Sequence, residues 1–221
     1  MSNYQDIYRD LPSRVFKVWE RAKAHTDNET EDLSVTFMLM AAAAGLAMPL
    51  EGIHIPDRKS PRPDHVTLDE DDQAAYQAAL QRFKDFFAQE LNSSSTFADA
   101  KFARCTELSE VRDVGEYGGG AAIDLANHKV SFAFSILRNA LAHNNIVAFG
   151  TDAQKIEKLI FFSEWRQGSG CKQKVVGWNV LTFSVESFEK FLTLWFNLVS
   201  ASGSYAAAVE ALAAQDASSA S

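Results

Sequence analysis

The stretch Ser135-Ile136-Leu137-Arg138-Asn139-Ala140-Leu141-Ala142-His143-Asn144-Asn145 closes an amphipathic segment that begins near residue 128. At about 100° per residue, Val130, Phe134, Leu137 and Leu141 fall on one apolar stripe, the face a helix over 128–143 buries. Ser131, Ser135, Arg138 and Ala142 form the neighbouring stripe, small except for the arginine. Phe132, Ile136, Asn139 and His143 form a third. Arg138 and His143 sit about 140° apart around the axis, so they do not face each other as an (i, i+4) pair does. An arginine offers a permanently charged planar fork for phosphate oxygens, and a histidine titrates near neutral pH. Asn139 can orient either one. Against this stands the plain reading, in which the arginine is solvated and the histidine caps a helix end; Arg-x4-His as a bare spacing recurs by chance.

Working outward, helical spacing of Ile7, Leu11, Val15, Val18 and Ala22 predicts a first helix over 4–25. A second follows over about 31–47, with acidic residues at its start. A third spans 69–91 and turns Tyr76, Leu80, Phe83, Phe87 and Leu91 inward, ending at Asn92-Ser93-Ser94-Ser95. Pro56, Pro61 and Pro63 mark 51–68 as a surface loop. The segment 97–127, with Gly115, Gly118, Gly119 and Gly120, reads as a structural turn or mobile loop. It lacks the glycine pattern and lysine of a phosphate-cradling loop.

After Asn145 the pattern changes. Ile146–Phe149, Lys158–Trp165 and Lys174–Phe183 are rich in β-branched and aromatic residues and separated by glycine-containing turns, which predicts a short antiparallel sheet. Ser184–Ser200 returns to helix, with Phe188, Phe191, Leu192, Trp195 and Leu198 buried and Ser184 capping its start. A helix over 204–214 and a disordered tail at 216–221 complete the reading. The expected architecture is mainly α: one helical domain over 1–215 carrying a small antiparallel β insertion at about 146–183.

The net charge of −8 excludes polyanion binding by bulk attraction, so nucleic-acid contact needs a local basic site. Residues 151–175 supply one, with five lysines and arginines against three acids directly after the Arg–His segment. Lys158 and Arg166 are the candidate contacts there, with Asn139 and Asn144 beside the pair. Cys105 and Cys171 form neither a disulfide framework nor a zinc spacing, which suits a reducing cytoplasm. The first residues, Met1-Ser2-Asn3-Tyr4, show no secretory signal. The apolar run from Leu33 to Leu50 is mostly alanine and methionine, and it suits a buried core helix better than a membrane span of about 20 strongly apolar residues. His54 and His65, with Asp57 and Asp64 between them, have no spacing that holds a metal. No metal or other cofactor is expected. Trp165, Trp178 and Trp195 read as core residues, and His25 and His128 as cap or surface residues.

Arg138-Asn139-Ala140-Leu141-Ala142-His143-Asn144-Asn145, closing an apolar helix in a mostly helical chain, resembles the signature of the HEPN superfamily. The resemblance is sharpest over 128–147 and extends loosely to the helices before it and to the sheet-then-helix segment after it. It implies a helical bundle that dimerises with both motif helices lining one cleft, and a metal-independent endoribonuclease of toxin or antiphage type. Arg138 and His143 would be its catalytic residues, RNA its substrate, and a cognate antitoxin protein a partner. The alternative is a HEPN-like module that binds a nucleotide, RNA or protein without cleaving. A third reading is a structural dimer. The length of the chain and the strands at 146–183 depart from a minimal HEPN bundle, which bears on the toxin role more than on the fold.

Overall fold

The computed structural model describes residues 14–22, 34–47, 81, 83–150, 156–169 and 172–199. The expected helix over 204–214, the 51–68 loop, the 216–221 tail, His25, His54, His65 and Cys171 lie outside them. Within them, helix α1 covers 14–22. Helix α2, Ser34–Ala42, widens into a π-type turn over Ala43–Ala47. Helix α3 covers 83–88. Strand β1, Lys101–Cys105, precedes helix α4, Val111–Tyr117, and the two-residue strand β2, Ala121–Ala122. Helix α5, Val130–His143, leads into β3, Ile146–Phe149. The long strands β4, Lys158–Gln167, and β5, Lys174–Ser184, precede helix α6, Val185–Val199.

The architecture corrects the sequence expectation. The chain is a mixed α/β fold, not a mainly α bundle with a β insertion at 146–183. The three expected strands are present, but they belong to a five-stranded antiparallel sheet of order β2-β1-β5-β4-β3. Strand β1 comes from the segment read as turn or loop. It pairs with β5 along its whole length, from Lys101↔Thr182 to Cys105↔Trp178. The physical reason is that Lys101-Phe102-Ala103-Arg104-Cys105 is too short and too polar to register as a strand by itself; pairing with a long apolar neighbour supplies what its own pattern lacks.

Cross-strand partners point to the same face of a sheet, so the register assigns every side chain. Phe102, Leu181, Phe161 and Ile146 form one row, with Phe183 and Leu159 one step further along. That face carries the main core, against α5 and α6. Trp195 of α6 lies at its centre, 4.9 Å from Phe134 and 5.8 Å from Phe83 between ring centroids. Its indole N–H donates to the Gly45 carbonyl at 2.8 Å, which satisfies both groups inside the core. Gly45 is also the point where a Cβ would collide with the Phe196 ring. Trp195 is therefore core, as expected, while Trp165 and Trp178 are only half-buried.

The opposite face is covered by the short helix α4. Val111 and Val114 pack there on Cys105, Ile160 and Val180. Gly115 permits this close approach, since a Cβ on it would lie 2.5 Å from Ile160 Cδ1. Gly115 is therefore a packing position, and Gly118 ends α4 in the left-handed conformation at φ 77°.

Candidate functional site

Helix α5 buries Val130, Ala133, Phe134, Ile136, Leu137 and Ala140. This is the expected core stripe, widened toward the sheet by Ile136 and Ala140, with Leu141 left at its margin. Arg138 and Asn139 are half-buried and His143 is exposed. The Arg138 Nη1 group donates to Asn139 Oδ1 at 3.4 Å. The contact draws the guanidinium round the helix toward Asn139, which lies about 40° from His143. It narrows the angular gap between the two motif residues without bringing them into contact on one chain.

Asn144 follows at φ 55°, the left-handed region, and its N–H reaches the Ala140 carbonyl. The Asn145 N–H donates to the same carbonyl at 2.8 Å, and the Asn145 carbonyl accepts from Phe162 N–H at 3.1 Å. This turn reverses the chain from α5 into β3. Asparagine tolerates left-handed backbone better than most residues, so Asn144 has a local structural role that accounts for its identity.

The proposed basic contacts do not converge. Lys158 Nζ donates to the Glu116 carbonyl at 3.0 Å, closing the C-terminal end of α4 on the face opposite α5. Arg166 lies eight residues along β4, roughly 26 Å away at about 3.3 Å per residue. Its Nε donates to Glu164 Oε2 at 2.8 Å. The two therefore do not form one patch with each other, because strand geometry spreads residues that are close in sequence along a long line.

Sequence reasoning missed a second polar group. Arg104, Asn179 and Ser163 are register partners across β1, β5 and β4, on the helix face one step beyond the apolar row. Arg104 Nε donates to Asn179 Oδ1 at 3.0 Å, and its guanidinium lies 4.6 Å from the Trp165 ring centroid. Next to it His128 stacks on Phe132 with ring centroids 4.1 Å apart. Burial, and then the Arg104 charge, push the His128 pKa below its ordinary 6.5; Asp124 pulls the other way. The only signal in the sequence was the alternation of Phe102 and Arg104, which identifies neither partner.

An open cleft of about 600 Å³ lies between the end of β1, helix α4 and the Gly119–Ala121 turn. Cys105 lines it as a buried free thiol, raised in pKa by burial and by Glu110. Glu110 is itself engaged in a capping box with Glu107 and accepts from Thr106 and Glu107 N–H. Among the described residues no group of three or more histidine, cysteine and acidic side chains could hold a metal. Among them, too, no helix is long and apolar enough to cross a membrane. Comparison with protein families, curated proteins and solved structures gives no match.

Proposed function

We propose that the protein is a metal-independent endoribonuclease of HEPN type acting at a site built from two copies of α5. The observation that carries this reading is the Arg138–Asn139 contact beside an exposed His143 at the end of α5. In the reaction, His143 accepts the proton from a ribose 2′-hydroxyl. The 2′-oxygen attacks the adjacent phosphorus, and the bond to the 5′-oxygen breaks. Arg138 holds the negative charge that gathers on the phosphoryl oxygens. The 5′-oxygen leaves with a proton taken from water, protonated His143 returns its proton to solvent, and a 2′,3′-cyclic phosphate remains. The chemistry uses protein side chains alone, so it needs no metal ion.

A second copy of the helix supplies what one chain leaves open. Arg138 of one copy and His143 of the other can face one phosphate across the shared axis. Ser135 and Ala142 are exposed on the flank between them and small enough for close approach. We place the protein in the cytoplasm as a toxin or antiphage effector, with RNA as substrate and an antitoxin as a further partner. The five-stranded sheet exceeds a HEPN bundle, so the reading rests on the residues from Arg138 to Asn145 and not on the architecture.

The test is cleavage of single-stranded RNA by purified protein in EDTA, against Arg138→Ala and His143→Ala variants, with light scattering on the same samples. Cleavage in chelator, its loss in both variants, and a dimer are the expected results. Activity abolished by EDTA and restored by magnesium refutes the mechanism, and a monomer at tens of micromolar refutes the shared site. A folded dimer that binds RNA without cleaving it establishes the alternative, a binding module. The observation favouring that alternative is that one chain does not bring Arg138 and His143 into contact.

A further inference from the structure

The row Arg104–Asn179–Ser163 has a position that its residues alone do not reveal. At its β4 end, Ser163 follows Phe162, whose N–H is bound by the Asn145 carbonyl in the turn that ends α5. At its β1 end, Arg104 shares a strand face with Phe102, whose ring stacks 6.5 Å from Phe132 in the first turn of α5, and Phe132 in turn stacks on His128. The row therefore runs beside the outer flank of α5, from the His143 end to the His128 end. Arg104 and Ser163 are two strand spacings apart, about 10 Å.

Arg104 is held in place from two directions. The Asn179 amide that binds its Nε is itself only 7% exposed, which makes it a fixed anchor. The Trp165 ring lies across Gly177 of the intervening strand; a Cβ there would meet the ring at 3.2 Å and collide with the Cys105 carbonyl. Glycine at this position lets the indole reach from β4 toward β1 and stack on the guanidinium. With one face stacked and Nε engaged, the two Nη groups of the half-buried guanidinium make no hydrogen bond or ion pair with another described residue. Among the described residues no carboxylate pairs with Arg104.

We propose that Arg104, stacked on Trp165 and anchored by Asn179, is a phosphate-binding subsite for single-stranded RNA running along α5. The proposal rests on the reading of α5 as an RNA site and names a contact to a nucleotide flanking the one at Arg138 and His143. A guanidinium pre-oriented by stacking and one hydrogen bond loses little freedom on taking up a phosphodiester bidentately, which an unsupported surface lysine does not match.

The experiment measures binding of a short fluorescent single-stranded RNA to the full chain carrying Arg138→Ala and His143→Ala, which prevents turnover. Arg104→Ala is added and the salt dependence followed. The expected result is a loss of about tenfold or more in affinity, with the slope of log K against log salt smaller by about one. Arg104→Lys keeps the charge without the fork and recovers only part of the affinity. The equivalent single-stranded DNA shows the same loss, because the fork reads phosphate and not the 2′-hydroxyl. Inorganic phosphate competes only at far higher concentration; competition at RNA-like concentration marks a free-phosphate site and overturns the RNA subsite. Unchanged affinity and slope in an Arg104→Ala protein with an unchanged melting profile overturn the proposal. So does failure of the parent to bind RNA. If Arg104→Ala does not fold, Trp165→Phe and Asn179→Ser carry the test, each releasing one support of the fork while keeping the arginine; unchanged affinity in both refutes it. The two readings fail separately. An active nuclease indifferent to Arg104 removes the subsite alone, whereas Arg104-dependent binding without cleavage by the wild-type chain removes the nuclease alone.

Discussion

Arg138 and Asn139, neighbours in sequence, are joined side chain to side chain: the guanidinium Nη1 donates to the amide Oδ1 at 3.4 Å. Consecutive helix residues diverge by about 100°, so the contact requires the long arginine to bend across the helix surface. Asn139 thus holds one nitrogen of the positive charge. Asn139→Ala is expected to lower RNA cleavage by about 10- to 100-fold through misplacement of Arg138. The fold should be unaffected. Single-turnover rates and melting curves on one preparation check both halves, and cleavage at the wild-type rate removes the positioning role.

The fold and the proposed chemistry occupy different faces of α5. Leu137 is fully buried, whereas His143 is exposed. Leu137→Ala should cost about 2–5 kcal/mol through lost volume. His143→Ala should cost about 1 kcal/mol or less while reducing cleavage by orders of magnitude. Urea titration of both variants gives the energies. A folded His143→Ala protein that still cleaves ends the assignment of His143 as proton acceptor.

Asn144 separates a backbone role from a ligand role. Its φ of 55° is accessible to glycine without strain and costs a β-branched residue about 1–2 kcal/mol or more. Asn144→Gly is expected to keep both stability and RNA affinity, and Asn144→Val to lower stability. Loss of RNA affinity in a stable Asn144→Gly protein would instead show that the amide itself contacts substrate.

Lys158 and Arg166 are expected to matter differently from each other and little for RNA. Lys158→Met leaves the Glu116 carbonyl at the end of α4 without its donor and should cost about 1–3 kcal/mol. Arg166→Gln breaks an exposed pair with Glu164 and should cost under about 1 kcal/mol. Filter binding with both variants tests the second point: an affinity loss above about threefold in either one restores it to the RNA surface.

Stability should fall on acidification through His128. Burial and Arg104 lower its pKa in the folded chain, so below pH 6.5 the unfolded chain takes up more protons than the folded one. Stability then rises with pH across the interval between the lowered folded value and 6.5, and its contribution is fully present above that interval. Asp124 opposes the shift, so Asp124→Asn should steepen the loss. His128→Gln should flatten the stability profile just below pH 6.5; an unchanged slope places the acid sensitivity elsewhere.

The sequence by itself determined the two long helices α5 and α6, because the 3.6-residue period depends on neighbours along the chain, whereas the short α4, Val111–Tyr117, fell in the segment read as turn or loop. Helix α5 begins at Val130 and ends at His143, close to the 128–143 read from periodicity, and α6 at Val185–Val199 matches Ser184–Ser200. Even its cap was readable, with Ser184 Oγ accepting from Ser187 N–H at 3.0 Å. Strands β3, β4 and β5 were legible for the same local reason, their runs of aromatic and β-branched residues. Only the tertiary structure decided that these strands form part of a five-stranded sheet, because β1 is defined by its register against β5 about 75 residues away. That pairing also turned one polar alternation into the Arg104–Asn179–Trp165 cluster. A helix face is written in a few consecutive residues, whereas a sheet face is assembled from distant segments, and hydrogen-bond register selects which side chains meet.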